Sequence, residues 1–469
     1  MTTFAQAVNA EETTTTNGAL AYKSTLNKCV DLFFNIGAMR GQDPIPAFAA
    51  AFVEDSDVAV RIMQWVRDVR GGAGERELFK QVLTYLENQD SGLAQKLMVK
   101  IPEIGRWDDL LVVKHPILRQ YAFGMIKAGL EAGNGLCAKW MPRKGKEAEE
   151  LRAFLDFSPK RYRKTLVTLT KVVETQMCAK DWDNINFSHV PSLAAARYKK
   201  AFKRNAEASY SKYAEALASG ETKVNAGAVF PYDVLKGAFN AYERQALDAD
   251  VRKVMLAQWD ALPNYVGDAS ILPMVDVSGS MGSLIPGSNL TCMQVAMSLG
   301  LYLAEKNTGA FKDTFLTFTG KPELFNLQGD VLQKMDQMGQ HVAYDTNIEA
   351  AFQKVLDVAV QQNVAPEHMP ANILILSDMQ FNTTCIQGKS VSAMTMVRAK
   401  YAAAGYTAPN IVFWNLNAHG GSPTRFDESG VALVSGFSPA VLKAILACED
   451  FSPMSVMLAA VMVPRYDLA

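Results

Sequence analysis

Histidine and cysteine are scarce and scattered in this chain of 469 residues, which carries five of the first and six of the second. The cysteines, at 29, 137, 178, 292, 385 and 448, form no C-x-x-C pair and no Cys/His cluster of zinc spacing, so neither a structural zinc nor a disulfide framework is expected. Such usage suits a reducing compartment, and a cytoplasmic protein is the expectation. Long apolar runs are also missing. The best candidate, Met457 to Val463, falls far short of the roughly 20 residues that span a bilayer, and Met1 to Thr16 has no basic segment followed by an apolar one. Neither a membrane nor secretion is expected. Surplus charge is absent as well: 47 Lys and Arg stand against 48 Asp and Glu, so any site for a polyanion must be local.

What is present divides the chain in two. Its length exceeds the usual size of a single core. Residues 1–19, with a run of threonines, read as a flexible tail. From 20 to 262 the apolar spacing is repeatedly helical, as in Leu26, Val30, Phe33 and Phe34, then Val58, Ile62, Trp65 and Val66. Breaks at Gly41 to Pro44, Gly71 to Gly74 and Asn134-Gly135 mark connections, and an array of paired helices is the natural reading. From 268 to 452 apolar runs alternate with amphipathic helices, the pattern of an α/β domain. Strands are expected at 271–276, 313–319, 372–377, 410–416 and 431–434, with helices at 290–306, 347–361, 390–404 and 439–447. The segment 453–469 is apolar and is expected to pack on the helical part.

The run Ile271 to Val275 leads into Asp276-Val277-Ser278-Gly279-Ser280, where a Gly-containing turn lets alternating oxygens converge on one point. Oxygen donors without sulfur or imidazole suit a hard cation such as Mg²⁺ or Mn²⁺. One carboxylate holds such an ion weakly, so further donors are expected from Tyr344-Asp345-Thr346-Asn347 and from Ile373 to Asp378, again an apolar strand ending in Asp. Alternatively, Asp276 and the serines cap the next helix. An aspartyl-phosphate enzyme also places an Asp after a strand. Ser278 stands where the haloacid dehalogenase family carries its second Asp, which argues against that chemistry.

Asp276-x-Ser278-x-Ser280, followed by Thr346 and Asp378, resembles the metal-ion-dependent adhesion site (MIDAS) of von Willebrand factor A domains. The resemblance implies a doubly wound, Rossmann-like sheet with the ion at the carboxyl ends of its strands. It further implies that Ser278, Ser280 and Thr346 touch the ion directly and that Asp276 and Asp378 hold it mainly through water. A partner's carboxylate would fill the open coordination place. Asn347 departs from the pattern of Ro proteins, which tend to have Asp there.

A second resemblance spans nearly the whole chain. Asn17 to Tyr22, Asp31 to Phe34, Arg67 to Arg76, Arg106 to Leu110, Lys139 to Arg143, Val190 to Ser192 and Ser377 to Phe381 are similar to strings of the DUF2828 family. That family is similar in layout to the TROVE proteins, in which HEAT-like helical repeats join a von Willebrand A domain and which bind small or misfolded RNAs. The resemblance implies an RNA-binding, ribonucleoprotein-forming scaffold. Read from the residues alone, Arg67, Asp68, Arg70, Glu75 and Arg76 are charges that pair around a tight glycine turn, and Trp107-Asp108-Asp109 is a helix start with a buried Trp.

Between Lys139 and Arg204 there are 16 Lys and Arg against 7 Asp and Glu. The clusters Lys139, Arg143 and Lys144, then Lys160, Arg161, Tyr162, Arg163 and Lys164, then Arg197, Lys199 and Lys200 mix cations with aromatic rings. That mix suits phosphate contact and base stacking on single-stranded or structured RNA, with no DNA specificity expected. The bland reading is a set of solvated helix faces. Two functions compete: a non-catalytic RNA-binding scaffold, and a metal-dependent module that captures a carboxylate of a protein partner. Hydrolysis lacks an obvious base, because the histidines at 115, 189, 341, 368 and 419 fall outside the metal motifs.

Overall fold

The computed structural model describes residues 12–340, 346–383, 385–386, 389–390 and 392–468. Helices follow one another from Lys28–Ile36 to Ala249–Asp260, and neighbours pack on one another through buried faces. In Ser56–Arg67, for example, Val58, Ile62, Trp65 and Val66 are buried, and the Asp55 side chain accepts from Val58 N to cap the start.

The Arg67 to Arg76 and Arg106 to Leu110 strings meet as one charged network: the charges around the glycine turn have a structural role, but Arg67, Asp68, Glu75 and Arg76 pair with residues outside the turn rather than with one another. Asp109 is fully buried and accepts from Arg67 Nε and Arg76 Nε, each at 2.7 Å, while Asp108 takes Arg76 and Arg106. These cations hold the Asp109 carboxyl below its ordinary range against the opposing effect of burial. The glycines between them are forced by close approach: a Cβ on Gly72 would lie 1.8 Å from the Trp65 carbonyl oxygen. Trp107 opens a short 3₁₀ segment, Trp107–Val112, and is half-buried rather than buried.

The second half is built on a six-stranded sheet. Strands β1 (Glu12–Thr14) and β2 (Leu20–Tyr22), like β7 (Cys385–Ile386) and β8 (Lys389–Ser390), pair apart from it, and its own strands are β3 (Ile271–Asp276), β4 (Thr314–Phe318), β5 (Leu324–Asn326), β6 (Asn372–Ser377), β9 (Asn410–Asn415) and β10 (Val431–Ser435). The order is β10-β9-β6-β3-β4-β5, all parallel except the β4–β5 pair. This is the doubly wound arrangement expected for the α/β half. The central strands are buried along their whole length, as parallel strands covered on both faces must be. Pro273 is tolerated in β3 because the ladder to β4 begins one residue later, at Met274. The edge strand β5 and the helix Val331–Gly339 were not anticipated from the sequence.

The two halves are interleaved at both extremes of the described chain. Residues 12–19, expected within a flexible tail, instead pair as β1 (Glu12–Thr14) with β2 (Leu20–Tyr22) and dock on the second half; residues 1–11 lie outside the described residues. Helix Lys28–Ile36 packs against the ends of β10 and β9, where Ser435 Oγ of β10 donates to Phe33 O at 2.8 Å and Asn415 Nδ2 of β9 to Phe34 O at 3.2 Å. Conversely, Gln64 Nε2 donates to Tyr466 O at 2.8 Å, and Asp68 accepts from Arg465 Nη2 at 3.0 Å and from the Tyr466 hydroxyl at 3.1 Å. Helix Pro453–Val461 touches both Ser56–Arg67 and β10.

Candidate functional site

β3 and β6 lie side by side, with Val275 opposite Leu376, so Asp276 and Ser377 end the two central strands together. The chain runs from β3 toward β4 on one side, and the later strands lie on the other. This is a topological switch point, where open α/β sheets place ligands.

Asp276 is fully buried; its Oδ1 accepts from Ser278 N at 2.9 Å and its Oδ2 from Ser377 Oγ at 2.6 Å. Ser278 Oγ lies 3.0 Å from Ser280 Oγ, and Ser280 is exposed to solvent. Helix capping is not what these residues do. The Ser278 side chain makes no cap hydrogen bond to the short Gly279–Gly282 turn, and helix Cys292–Lys306 is capped by Thr291 with Gln294.

Asp378 is buried; its Oδ1 accepts from Gln380 N at 3.3 Å, and its Oδ2 is a buried oxygen without a hydrogen-bond partner among the described residues. Thr346 Oγ1 donates to Gln380 O at 2.8 Å, which brings the third segment to the same loop. Tyr344 and Asp345 lie outside the described residues. Asn347 N-caps helix Ile348–Gln361 through Ala350 N at 2.9 Å, a role that accounts for its amide.

The electrostatics are those of two neighbouring buried carboxylates with only a histidine for a basic neighbour among the described residues. Burial, with Asp378 nearby, pushes the Asp276 carboxyl up to about 6 against the lowering effect of Ser377 and Ser278. No Lys or Arg pairs with either carboxylate among the described residues. The nearest base is His419, whose Nε2 is 3.8 Å from Asp378 Oδ2 and whose affinity for a proton is raised by that carboxylate. His419 was passed over in the sequence because nothing in its spacing links it to Asp378. Ser377 and Asn17 were missed likewise; Asn17 Nδ2 donates to Thr346 Oγ1 at 3.3 Å. Beside the site, residues 13–16, Gln380 and His419 line an open cleft of about 420 Å³.

The donor set fits a hard cation: three hydroxyls and two carboxylates, one of which has a buried oxygen with no hydrogen-bond partner among the described residues. No group of three or more His, Cys, Asp or Glu is placed to hold a metal among the described residues, so the hydroxyls would have to complete the shell.

The basic residues separate into two groups. Lys160, Arg161, Arg163 and Lys164 lie exposed on helix Pro159–Leu169, and Arg161 stacks on Phe157 at 4.0 Å. Arg143, Lys144, Arg197 and Lys200 are also exposed, although Arg143 donates to Thr170 Oγ1 at 3.1 Å. Two expected contacts are corrected. Tyr162 is buried with its hydroxyl on Pro142 O at 2.9 Å, so it offers no stacking face. Lys199 is buried and donates to Val234 O at 2.9 Å, so it offers no charge to a phosphate. Lys139 is half-buried and lies 3.6 Å from Glu174, which leaves its charge largely spent.

Comparison with known proteins matches the two halves to different families. Residues 15–91 and 132–272 match the DUF2828 family, a domain of unknown function, less of the chain than the short strings implied, since Arg106 to Leu110 lies between the two matched stretches. Residues 270–461 match DUF7788, also a domain of unknown function, so Ser377 to Phe381 falls under this second family. An uncharacterised protein of Acanthamoeba polyphaga mimivirus is 29% identical, with 95% of this chain and 86% of that protein aligned. Among solved structures, the Ro (RSR) protein of Deinococcus radiodurans aligns over 81% of this chain and 93% of its own, at 13% identity and a TM-score of 0.35. No helix among the described residues is long and apolar enough to cross a membrane.

Proposed function

We propose that the protein is a non-catalytic binding scaffold: one hard divalent cation, Mg²⁺ or Mn²⁺, at the carboxyl edge of the sheet, and RNA on the exposed basic face of the helical half. The observation that carries the first part is the buried pair Asp276 and Asp378, which among the described residues no Lys or Arg opposes and whose Asp378 Oδ2 accepts no hydrogen bond. Leaving a buried carboxylate uncompensated is costly, and a cation removes that cost. Asp276, Ser278, Ser280, Thr346 and Asp378 would hold the ion, which would supply a Lewis-acidic place for an incoming oxygen. Exposed Ser280 marks the side from which that oxygen arrives. Support for the RNA part comes from Lys160, Arg163 and Lys164, which are exposed and form no ion pair among the described residues.

Calorimetric titration tests the metal site: the full chain is expected to bind one Mn²⁺ or Mg²⁺, and Asp276→Ala with Asp378→Ala to bind none. Equal binding by both proteins would refute it. Nuclease or phosphatase turnover that disappears in Asp276→Ala would replace the non-catalytic reading with a hydrolytic one in which His419 becomes the candidate base.

A second reading, capture of a carboxylate from a protein partner through the ion, is favoured by the open cleft next to the site. EDTA separates the two: partner capture is lost in chelator, whereas RNA held by the basic helix persists.

A further inference from the structure

The hairpin β1–β2 reaches the cation site through its turn. Thr15 Oγ1 donates to Phe381 O at 2.6 Å, Thr16 N to Gln380 Oε1 at 2.8 Å and Ala19 N to Phe381 O at 3.3 Å. Gly18 bridges to Asn382, and its φ of +88° with Thr383 Oγ1 2.8 Å from a would-be Cβ leaves no room for a side chain. These contacts tether the turn to the loop after β6. They do not involve Thr346.

Asn17 does something different. Its Nδ2 donates to Gln380 O at 2.7 Å and to Thr346 Oγ1 at 3.3 Å, while Thr346 Oγ1 donates its own proton to Gln380 O at 2.8 Å. A hydroxyl has one proton and two lone pairs. The Thr346 proton has Gln380 O as the nearer acceptor, with Asn382 Oδ1 at 3.4 Å, and Asn17 engages a lone pair, so Asn17 contributes directly to how the Thr346 hydroxyl is oriented. Thr346 is the donor contributed by the segment farthest in sequence from both strand ends, so its orientation is the least determined by the sheet itself. Partners of this kind, outside the coordinating atoms, set ligand direction and affinity in metal sites generally.

We propose that Asn17 is a positioning residue of the cation site, orienting Thr346 so that the ion and the hairpin hold each other in place. The inference rests on the metal reading above. Reciprocity is required by linkage: whatever factor Asn17 contributes to cation affinity, the cation contributes to docking of the hairpin.

The test uses the full chain with Mn²⁺ and Mg²⁺ alone as probes. Asn17→Ala, an exposed substitution, is expected to weaken Mn²⁺ binding about tenfold or more. In the unaltered protein, saturating Mg²⁺ is expected to slow amide exchange at residues 16–19, and this protection is expected to vanish in Asn17→Ala. Should Asn17→Ala bind Mn²⁺ as tightly as the unaltered protein while Ser278→Ala binds it weakly, the inference fails and the metal site stands. Mg²⁺ that binds without changing exchange at 16–19 would also overturn it. If the unaltered protein binds no Mn²⁺, the metal reading falls and this inference with it.

Discussion

Ser377 donates its hydroxyl proton to Oδ2 of Asp276 at 2.6 Å, a bond across the ends of the two central strands that stabilises the ionised carboxylate inside the sheet. Burial and Asp378 push the Asp276 carboxyl up to about 6, and the Ser377 hydrogen bond is the strongest influence opposing them. If the proposed cation binds there, it competes with a proton for this carboxylate. Ser377→Ala is therefore expected to raise the pH below which Mn²⁺ affinity is lost, by about one unit, because a hydrogen bond to the charged form has gone. Titrating Mn²⁺ affinity from pH 5 to 8 in both proteins checks this; an unmoved or lowered midpoint would contradict it.

Lys160, Arg161, Arg163 and Lys164 project from one helix, and their simultaneous replacement by Glu is expected to reduce affinity for a single-stranded RNA oligonucleotide at least about tenfold near 0.1 M salt. Each phosphate contact contributes roughly 0.7 to the logarithmic salt slope of single strands, so the slope is expected to flatten by as much as about 3. Fluorescence anisotropy at several salt concentrations measures both. Unchanged affinity and slope would reassign the helix to a solvated face.

Lys199 is buried, and burial with Lys200 nearby lowers its ammonium to about 7. The unfolded chain holds that proton up to about 10.5. Between the two values the unfolded state binds more protons, so this group makes stability rise with pH through that window. Lys199→Met is expected to be more stable than the native protein near pH 7, by on the order of 2–3 kcal/mol after allowing about 1 kcal/mol for the lost bond to Val234 O. The advantage is expected to shrink as pH approaches 10. Urea unfolding at pH 7 and 9.5 provides the comparison, and a difference independent of pH would exclude the explanation.

The central strands were legible because they are uniformly apolar runs closed by a polar residue: β3 and β6 have the expected bounds, 271–276 and 372–377. β5 was not, since a three-residue antiparallel edge strand has too little pattern to stand out. The residues of the proposed cation site were readable as separate segments of matching type, and Asp276, Ser278, Thr346 and Asp378 are linked through Ser377 and Gln380. Asn17 and His419 were invisible there, because long-range packing alone brings them to the site. The burial of Tyr162 and Lys199 was in principle readable. Tyr162 shares a helix face with buried Leu166, and Lys199 falls in register with buried Ala195 and Phe202, but counting charge by segment hides which face each residue occupies.

The border between the two matched families, near residue 270, divides the sequence but not the body. Helix Lys28–Ile36 supplies packing for β10, and Arg465 and Tyr466 supply partners for Asp68. Severing the chain at that border would strip a sheet edge of its cover and leave a buried carboxylate without its guanidinium, each a recognised cause of aggregation or unfolding. Melting of either half should thus drag the other along, and a ligand gripping one surface would lend thermal resistance to its opposite.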